Sequence, residues 1–333
     1  MGKRYLPESP VTDAPHIPVL LDEVVAAFAP LAGRRVVDGT FGAGGYSRAL
    51  LEAGVNVVAI DRDPNVRPHA EKLAADFPGR FYFVPGTFSE LDTLAAPYAP
   101  IAGVVLDIGV SSMQLDESER GFSFMREGPL DMRMSQSGES AADLVNNLEQ
   151  DALANLLFAF GEERKSRRIA QFIVAARETA PITTTLELAR VIEKAIGRKP
   201  GDAHPATRSF QALRIAVNGE FDQLVEGLFA AERLLGEGGV LGVVTFHSLE
   251  DRIAKRFFDP EKGGPTQSRH LPQVEVAPRR WNPVAKAVKP GAAELDRNPR
   301  ARSSVLRSAV RTDVAARPVS HDQLGVPVVR GAA

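Results

Sequence analysis

Four short apolar runs alternate with polar, helix-like segments in the first third of the chain. The runs cover residues 35–38, 55–60, 80–84 and 101–106, and three of them end at or directly before an aspartate. Near-continuous apolar runs of this length are typical of parallel strands that are covered on both faces. We therefore predict an α/β fold built on a doubly wound, mostly parallel sheet, with ligand and chemistry at its carboxyl edge.

The pattern changes after the fourth run. Residues 108–133 are rich in Gly, Ser, Asp and Arg without a sustained period, which is typical of a long functional loop. Beyond this loop, apolar residues recur every three or four positions and predict helices. These helices cover residues 140–147, 150–160, 162–177, 184–196, 205–217, 220–235 and 248–257. Thr184 and Glu187 form a capping box at the start of the fourth helix.

A fifth strand is predicted over 238–246, and a short β pattern follows near 303–310. The helices between the fourth and fifth strands therefore interrupt the sheet pattern. We predict a discontinuous catalytic core (1–114 and 200–312), an all-helical insertion for substrate recognition (115–199) and a disordered tail (313–333).

Composition excludes several classes of protein. The chain has 333 residues, of which 44% are hydrophobic and 25% charged, as in an ordinary globular protein. It has no run of about 18 apolar residues and no apolar signal-peptide core, so we expect a cytoplasmic protein without a membrane partner. It contains 0 cysteines, which removes disulfides, thiolate zinc sites and cysteine nucleophiles. We predict no metal site.

Charge is uneven along the chain. The net charge is −2, yet residues 261–333 carry 13 Lys and Arg against 6 Asp and Glu. A basic segment favours an anionic partner, and Trp281 among Arg279, Arg280 and Lys286 favours a nucleic acid, because aromatic and cationic side chains suit base stacking and phosphate contact. The alternative is a solvated, loosely ordered segment.

The first strand runs into a glycine-rich turn, which predicts a nucleotide-like ligand. Gly42 and Gly44 permit a tight turn, and Asp61 ends the next strand, where an acid commonly binds ribose hydroxyls. Ser47 stands where the dinucleotide fingerprint needs a third glycine, and Asp38 would repel a pyrophosphate. The same carboxylate can bind a methionine ammonium, directly or through water. These residues favour S-adenosylmethionine, with an NAD-dependent oxidoreductase as the alternative.

Many short segments of the chain closely resemble the RsmH (MraW) family. They are HIPVLL (16–21), DGTFGAGGYS (38–47), AIDRDP (59–64), DIGVSS (107–112), RGFSF (120–124), GPLDMRM (128–134), FGEE (160–163), HPATR (204–208), FQALR (210–214), TFHSLED (245–251) and NPRARSSVL (298–306). The resemblance implies a bacterial S-adenosylmethionine-dependent methyltransferase that modifies the exocyclic N4 of one cytidine in 16S rRNA, near the decoding site.

The resemblance also implies residues that contact the cofactor. They are Gly44, Gly45, Tyr46, Asp61, Phe88, Asp107 and Gln114, beside the Asp38 and Gly42 of the turn. The ring of Phe88 is placed to flank a flat base, although a core aromatic at a strand end is equally compatible with its position. Many family members read GRGGHS where this chain has Ala43 and Tyr46, so contacts made by those Arg and His side chains are not carried over.

Candidates for the chemistry follow the fourth strand. Methylating C5 of a pyrimidine usually requires a cysteine adduct, so a chain without cysteine favours an amino or hydroxyl acceptor. Asp107, Ser111 and Ser112 are predicted to lie near the transferred methyl group, with Asn218 and His247 as second-rank partners. A histidine hydrogen-bonded at a strand end is the alternative for His247. The choice of catalytic base stays open.

Basic residues beyond the fourth strand are candidates for RNA binding. Arg120, Arg126 and Arg133 are predicted to lie near RNA or acids, while neighbouring apolar residues anchor the loop. A second group is predicted to line the target pocket, with structural ion pairs as the alternative for its two arginines: His204, Thr207, Arg208, Gln211 and Arg214. The expected partner is 16S rRNA, within the small ribosomal subunit. A non-catalytic ribosome-binding factor is the remaining alternative, and the oligomeric state stays open.

Overall fold

A seven-stranded sheet forms the centre of the computed structural model, which describes residues 18–198, 201–258, 278–283 and 286–329. The strands are β1 (Arg35–Asp38), β2 (Asn56–Asp61), β3 (Phe81–Pro85), β4 (Gly103–Asp107), β5 (Val240–Thr245), β6 (Trp281–Pro283) and β7 (Val305–Arg311). Their order is β3-β2-β1-β4-β5-β7-β6. Strands β1 to β5 are parallel, and β7 runs antiparallel between β5 and β6. The predicted doubly wound, mostly parallel sheet is confirmed.

Helices occupy most of the remaining described chain. They are α1 (Leu21–Phe28), α2 (Gly45–Glu52), α3 (Arg67–Asp76), α4 (Leu91–Ala95), α5 (Ser112–Asp116), α6 (Ala141–Asn147), α7 (Gln150–Gly161), α8 (Ser166–Arg177), α9 (Thr185–Ile196), α10 (Thr207–Asn218), α11 (Glu220–Leu234), α12 (Ser248–Phe258), α13 (Ala292–Arg297) and α14 (His321–Leu324). The predicted capping box of Thr184 and Glu187 begins α9. Within the described ranges, no helix has both the length and the apolar character needed to cross a membrane.

One helix begins later than the apolar spacing predicts. The prediction starts it at Glu162, whereas α8 starts at Ser166. Glu162 has a left-handed backbone (φ 50°) and ends α7, so the chain turns there before the next helix can form.

The sheet is buried on both faces, as its apolar strands predict. Successive residues of one strand point to opposite sides. Val37 of β1 and Val104 of β4 join a core with α11 and α12. Val36 and Val105 join a second core with α1, α2 and α3. The strand ends are thereby fixed in position at the carboxyl edge.

A third core holds the helical part of the chain together. It joins α6, α7, α8 and α9 with apolar residues of the long loop, among them Leu130 and Met132. The predicted anchoring role of that loop is therefore confirmed. Helix α10 belongs to both parts, because Leu213 packs in this core and Ile215 packs against the sheet. The predicted domain boundaries stay a prediction.

The predicted disordered tail (313–333) requires a correction for its described part. Arg317 donates from Nη2 to Glu232 Oε2 at 2.9 Å and from its backbone N to Glu232 Oε1 at 2.9 Å. Leu324 of α14 is buried. A buried carboxylate needs a cationic partner, and the tail supplies it. Residues 330–333 lie outside the described residues.

The predicted nucleic-acid role of Trp281 is wrong. Its ring is 2% exposed and lies 5.8 Å from the ring of Phe257, measured between centroids. Its Nε1 donates to Glu232 Oε2 at 2.8 Å. A buried indole with a satisfied N–H is a core anchor and presents no face to a base. Residues 259–277 of the basic segment lie outside the described residues.

Candidate active site

A crevice of about 450 Å³ opens where the carboxyl ends of β1, β2, β4 and β5 meet. The register places these strand ends together: Asp61 pairs with Pro85, and Asp107 pairs with Val244. Polar residues that line the crevice include Thr40, Asp61, Arg62, Asp107, Ser111, Gln114, Arg214, Glu220 and Gln223. The sequence prediction of a site at this edge therefore matches a real cavity.

The glycine-rich turn forms one wall of the crevice. Gly42 and Gly45 line it, whereas Gly44 does not. Gly44 has φ 81° and precedes α2, so the turn requires a glycine there, and its predicted cofactor contact stays a prediction. A Cβ on Gly45 would lie 2.2 Å from Pro18 Cγ, so a larger residue would displace that wall. The loop therefore presents its backbone to the crevice.

Two aromatic residues, Tyr46 and Phe88, line the crevice. Tyr46 lines it, and its buried hydroxyl donates to the carbonyl oxygen of Val19. Phe88 lines it as well, and a Cβ on Gly227 of α11 would lie 2.4 Å from Phe88 Cδ2. The Phe88 ring is therefore packed against a helix and also available to the crevice, so its two predicted roles are compatible.

Asp61 holds the glycine-rich turn in place. Its Oδ2 accepts from Gly42 N at 2.8 Å, and its Oδ1 accepts from Asp63 N at 2.9 Å. Burial raises the pKa of this carboxyl, and the two backbone donors oppose the rise. Because each oxygen can accept more than one hydrogen bond, Asp61 can still receive a ligand hydroxyl.

Asp38 lies beneath the crevice and not in its lining. Its Oδ2 accepts from Ser47 Oγ at 2.7 Å, and its Oδ1 accepts from Thr40 N at 3.2 Å. Asp38 is thus bonded within the protein, and its predicted contact with a cofactor, directly or through water, stays a prediction. Burial raises its pKa to about 6. Thr40 Oγ1 accepts from Asp107 N at 2.7 Å, so Thr40 connects the two aspartates.

Asp107 is the least satisfied acid of the crevice. Its Oδ1 is buried and has no hydrogen-bond partner within the described residues. Burial, followed by the charges of Asp38 and Glu250, raises the pKa of this carboxyl well above its usual range. An unpaired buried carboxylate is costly, and a cationic ligand would lower that cost.

The segment after β4 begins with a capping box. Ser111 Oγ accepts from Gln114 N at 3.2 Å, and Gln114 Oε1 accepts from Ser111 N at 3.0 Å. Gln114 also donates from Nε2 to Asp63 Oδ2 at 2.9 Å, so its polar atoms are used within the protein. Ser111 lies against the glycine-rich turn, with its Cβ 3.8 Å from a Cβ built on Gly42. Ser112 begins α5, and its side chain lies outside the described part.

Two second-rank catalytic candidates lie outside the lining of the crevice, and their catalytic roles stay predictions. Asn218 is buried, with Oδ1 accepting from Met134 N at 2.9 Å and Nδ2 donating to Met132 O at 2.8 Å. It clips the long loop to α10 and does not line the crevice. His247 also lies outside the lining; its Nε2 is 2.9 Å from Glu250 Oε1, without hydrogen-bond geometry. The alternative of a structural histidine at the strand end agrees with this position.

Arg214 and Glu220 form a buried ion pair at the crevice wall. Arg214 donates from Nε to Glu220 Oε1 at 2.8 Å and from Nη2 to Oε2 at 2.7 Å. The predicted ion pair of Arg214 is therefore confirmed, whereas its predicted role in lining the target pocket stays a prediction. Sequence reasoning missed Glu220, Arg62 and Gln223, because only the packing of distant segments brings them to the crevice.

The remaining RNA candidates divide into residues with partners inside the protein and residues at its surface. Arg120 is buried and donates to Asp63 Oδ2 at 2.9 Å and to Met134 O at 3.0 Å, so it lies near an acid as predicted, and its RNA contact stays a prediction. Arg133 pairs with Asp131 at 2.6 Å. His204 stacks on Phe124, with ring centroids 4.7 Å apart.

Arg208 remains exposed on α10, where its Nη1 donates to Glu162 O at 3.4 Å. Thr207 and Arg126 are also at the surface, and Arg126 donates to Asp116 O at 3.0 Å. Gln211 donates to Phe160 O at 3.2 Å, which joins α10 to α7. Arg208 thus retains a free surface for an anionic partner.

The family comparison agrees with the geometry of this site. The model of the MraW methylase family matches residues 13–312. The chain belongs to the MraW methylase family. Membership of a methylase family confirms the predicted cofactor, S-adenosylmethionine, over the alternative of NAD.

Individual relatives of this MraW methylase cover nearly its whole length. The ribosomal RNA small subunit methyltransferase H of Cereibacter sphaeroides is 58% identical over 319 residues, 95% of this chain and 96% of the relative. The protein of the same name from Roseobacter denitrificans is 55% identical over 323 residues, 96% of this chain and 97% of the relative. A solved putative rRNA methylase from Clostridium thermocellum has 12% identity and a TM-score of 0.40, and covers 89% of this chain and 99% of that one.

Proposed function

We propose that this chain transfers a methyl group from S-adenosylmethionine to the exocyclic N4 of a cytidine in 16S rRNA, near the decoding site. The observation that carries the proposal is the carboxylate-lined crevice, in which Asp107 Oδ1 has no hydrogen-bond partner among the described residues. S-adenosylmethionine carries a sulfonium and an ammonium, which would supply a positive charge to this carboxyl. The relatives are named ribosomal RNA small subunit methyltransferase H, which supports small-subunit rRNA as the target.

The residues of the crevice suit this cofactor. Bound S-adenosylmethionine supplies an electrophilic methyl group. In this proposal Asp61 accepts hydrogen bonds from the ribose hydroxyls, the backbone at Gly42 and Gly45 approaches the ligand closely, and Phe88 flanks the base. Burial raises the pKa of Asp107 in the unliganded protein, and a cationic ligand beside it would favour its ionised form.

An N4 acceptor agrees with the side chains present. The chain has 0 cysteines, so it lacks the nucleophile that C5 methylation of a pyrimidine usually needs. The N4 lone pair is delocalised into the ring, so the enzyme must hold the amino group in line and accept its proton. Burial raises the pKa of Asp107, which makes its carboxylate a better proton acceptor than an exposed aspartate. Ser111 also lines the crevice, and in this proposal it orients the amino group.

Mass spectrometry of 16S rRNA nucleosides tests this proposal. Cells that lack the gene are complemented with the wild type, with Asp107→Asn or with Asp92→Asn, a surface control that pairs with Arg233 at 2.7 Å. We expect N4-methylated cytidine with the wild type and the control, and its loss with Asp107→Asn. Unchanged N4 methylation in cells without the gene contradicts the proposal, and a protein that binds the subunit without changing its nucleosides is a ribosome-binding factor.

A further inference from the structure

The side-chain amide of Gln223 takes no part in the methyl transfer proposed above. Gln223 lies near the start of α11 and lines the crevice. Its Oε1 is buried, and within the described residues the amide forms no hydrogen bond. Leaving a buried polar atom unsatisfied costs about 1–3 kcal/mol, so the atom is expected to have a partner when the site is in use. Because no described residue supplies that partner and Gln223 lines the crevice, a ligand in the crevice is the partner that we expect.

The neighbours of Gln223 indicate which part of a ligand it meets. Gly227 lies one turn further along α11, on the same face of the helix. A Cβ on Gly227 would lie 2.4 Å from Phe88 Cδ2 and 3.1 Å from Phe88 O, so α11 rests directly on the Phe88 segment. Gln223 therefore lies beside the aromatic ring that the proposed function places against the base of the cofactor.

The other side of Gln223 is already occupied. Glu220, which precedes it on α11, is paired with Arg214 through two hydrogen bonds of 2.8 Å and 2.7 Å. Charged groups on that side are mutually satisfied, whereas the amide between them and Phe88 is not. The unsatisfied group thus faces the part of the crevice that lies next to the Phe88 ring.

We propose that Gln223 recognises the adenine of the methyl donor, with Oε1 accepting a hydrogen bond from the 6-amino group and Nε2 donating to a ring nitrogen. The inference rests on the proposed function. An amide presents an acceptor and a donor side by side, which complements the edge of adenine, where an amino group lies beside an acceptor nitrogen. Phe88 covers the face of the base, and Gln223 reads its edge. Gln223 is thus a positioning and specificity residue for the cofactor.

A double-mutant cycle on the ligand and the protein tests this inference. The ligands are S-adenosylhomocysteine and its analogue whose purine lacks the 6-amino group. The proteins are the wild type, Gln223→Met and, as a matched control, Gln211→Met, whose amide bonds Phe160 O away from the crevice. We expect the wild type and the control to bind the analogue about tenfold more weakly, and Gln223→Met to bind both ligands with similar affinity. Dissociation constants come from calorimetric titration.

Each other outcome has a defined meaning. If Gln223→Met and a second variant, Gln223→Ala, weaken both ligands and keep the wild-type ratio, the amide supports the fold and the inference is wrong. If the ratio is kept and the KM for RNA rises, the amide faces the target nucleotide, which also overturns it. Failure of the wild type to bind S-adenosylhomocysteine at all would refute the proposed function itself, and the inference with it.

Discussion

The buried acids of this molecule form two sets that differ in their partners. Asp63, Glu220 and Glu232, which follow or lie outside the strands, each pair with an arginine at 2.7–2.9 Å. At the carboxyl edge of the sheet, Asp38 and Asp107 have no cationic partner among the described residues, and burial raises the pKa of both. The paired acids hold segments together, whereas Asp107 keeps one oxygen without a partner among the described residues, as the proposed cationic ligand requires.

The arginines of the molecule also differ in whether they pair with a buried acid. Arg120 and Arg214 are candidates for RNA binding from sequence, but both neutralise buried carboxylates. Arg208 is exposed and has only a carbonyl oxygen as its partner at 3.4 Å. Burial and pairing, and not residue type alone, therefore indicate which positive charges are available to RNA.

Breaking a paired acid should have the largest effect on stability. Arg120→Met leaves Asp63 without its cation, and removing one partner of a buried pair costs about 3–5 kcal/mol of unfolding free energy. Urea denaturation measures this loss. Arg126→Met is the control, because Arg126 is exposed and bonds only a carbonyl oxygen. An Arg120→Met protein with normal stability but weaker RNA binding would restore Arg120 as an RNA residue.

The unpaired Asp38 should make stability depend on pH in the opposite sense to a paired acid. Its folded pKa is raised from 3.8 to about 6, so the folded state keeps the proton longer than the unfolded state. This contribution is complete below about pH 4 and is lost as the pH rises through about 6, by about 3 kcal/mol. Denaturation of the wild type and Asp38→Asn from pH 4 to 8 measures it. A constant difference between the two proteins across this range would contradict the expectation.

The Asp107→Asn variant should separate binding from stability. Losing a charge-assisted contact is expected to weaken S-adenosylmethionine binding by about 10- to 100-fold, because such contacts contribute about 1.5–3 kcal/mol. The same change removes an unpaired buried charge, so the thermal midpoint at pH 7 should rise or stay constant. Calorimetric titration and thermal melts measure the two effects. Equal affinity in Asp107→Asn and in the Asp92→Asn control would count against a ligand contact.

The smallest effect is expected at the exposed arginine. Arg208→Met should weaken RNA binding several-fold and reduce the salt dependence by about one ion, because one phosphate contact is lost. Affinity for S-adenosylmethionine should not change, since Arg208 does not line the crevice. Titrations of 16S rRNA over a salt series measure this effect. An unchanged salt slope would remove Arg208 from the RNA surface.

The strand ends were predictable from sequence because a parallel sheet brings them to one edge. Asp61 and Asp107 follow apolar runs, and that pattern alone places them in the crevice. The partners of buried charges were not predictable, because Arg120 and Asp63 are separated in sequence and only tertiary packing joins them. The same limit explains the tail, where Arg317 reaches Glu232. Gln223 was missed because the apolar spacing that predicts α11 does not show which of its polar side chains line the crevice.

Proton release on cofactor binding shows whether the unpaired carboxyl of Asp107 receives a cationic ligand. A cation beside Asp107 lowers its pKa, so binding should expel protons from this carboxyl. Calorimetric titration with S-adenosylmethionine near pH 6, in two buffers of different ionisation enthalpy, counts those protons. The account predicts net proton release by the wild type and less release by Asp107→Asn. Tight binding with the same proton count in both proteins would contradict it.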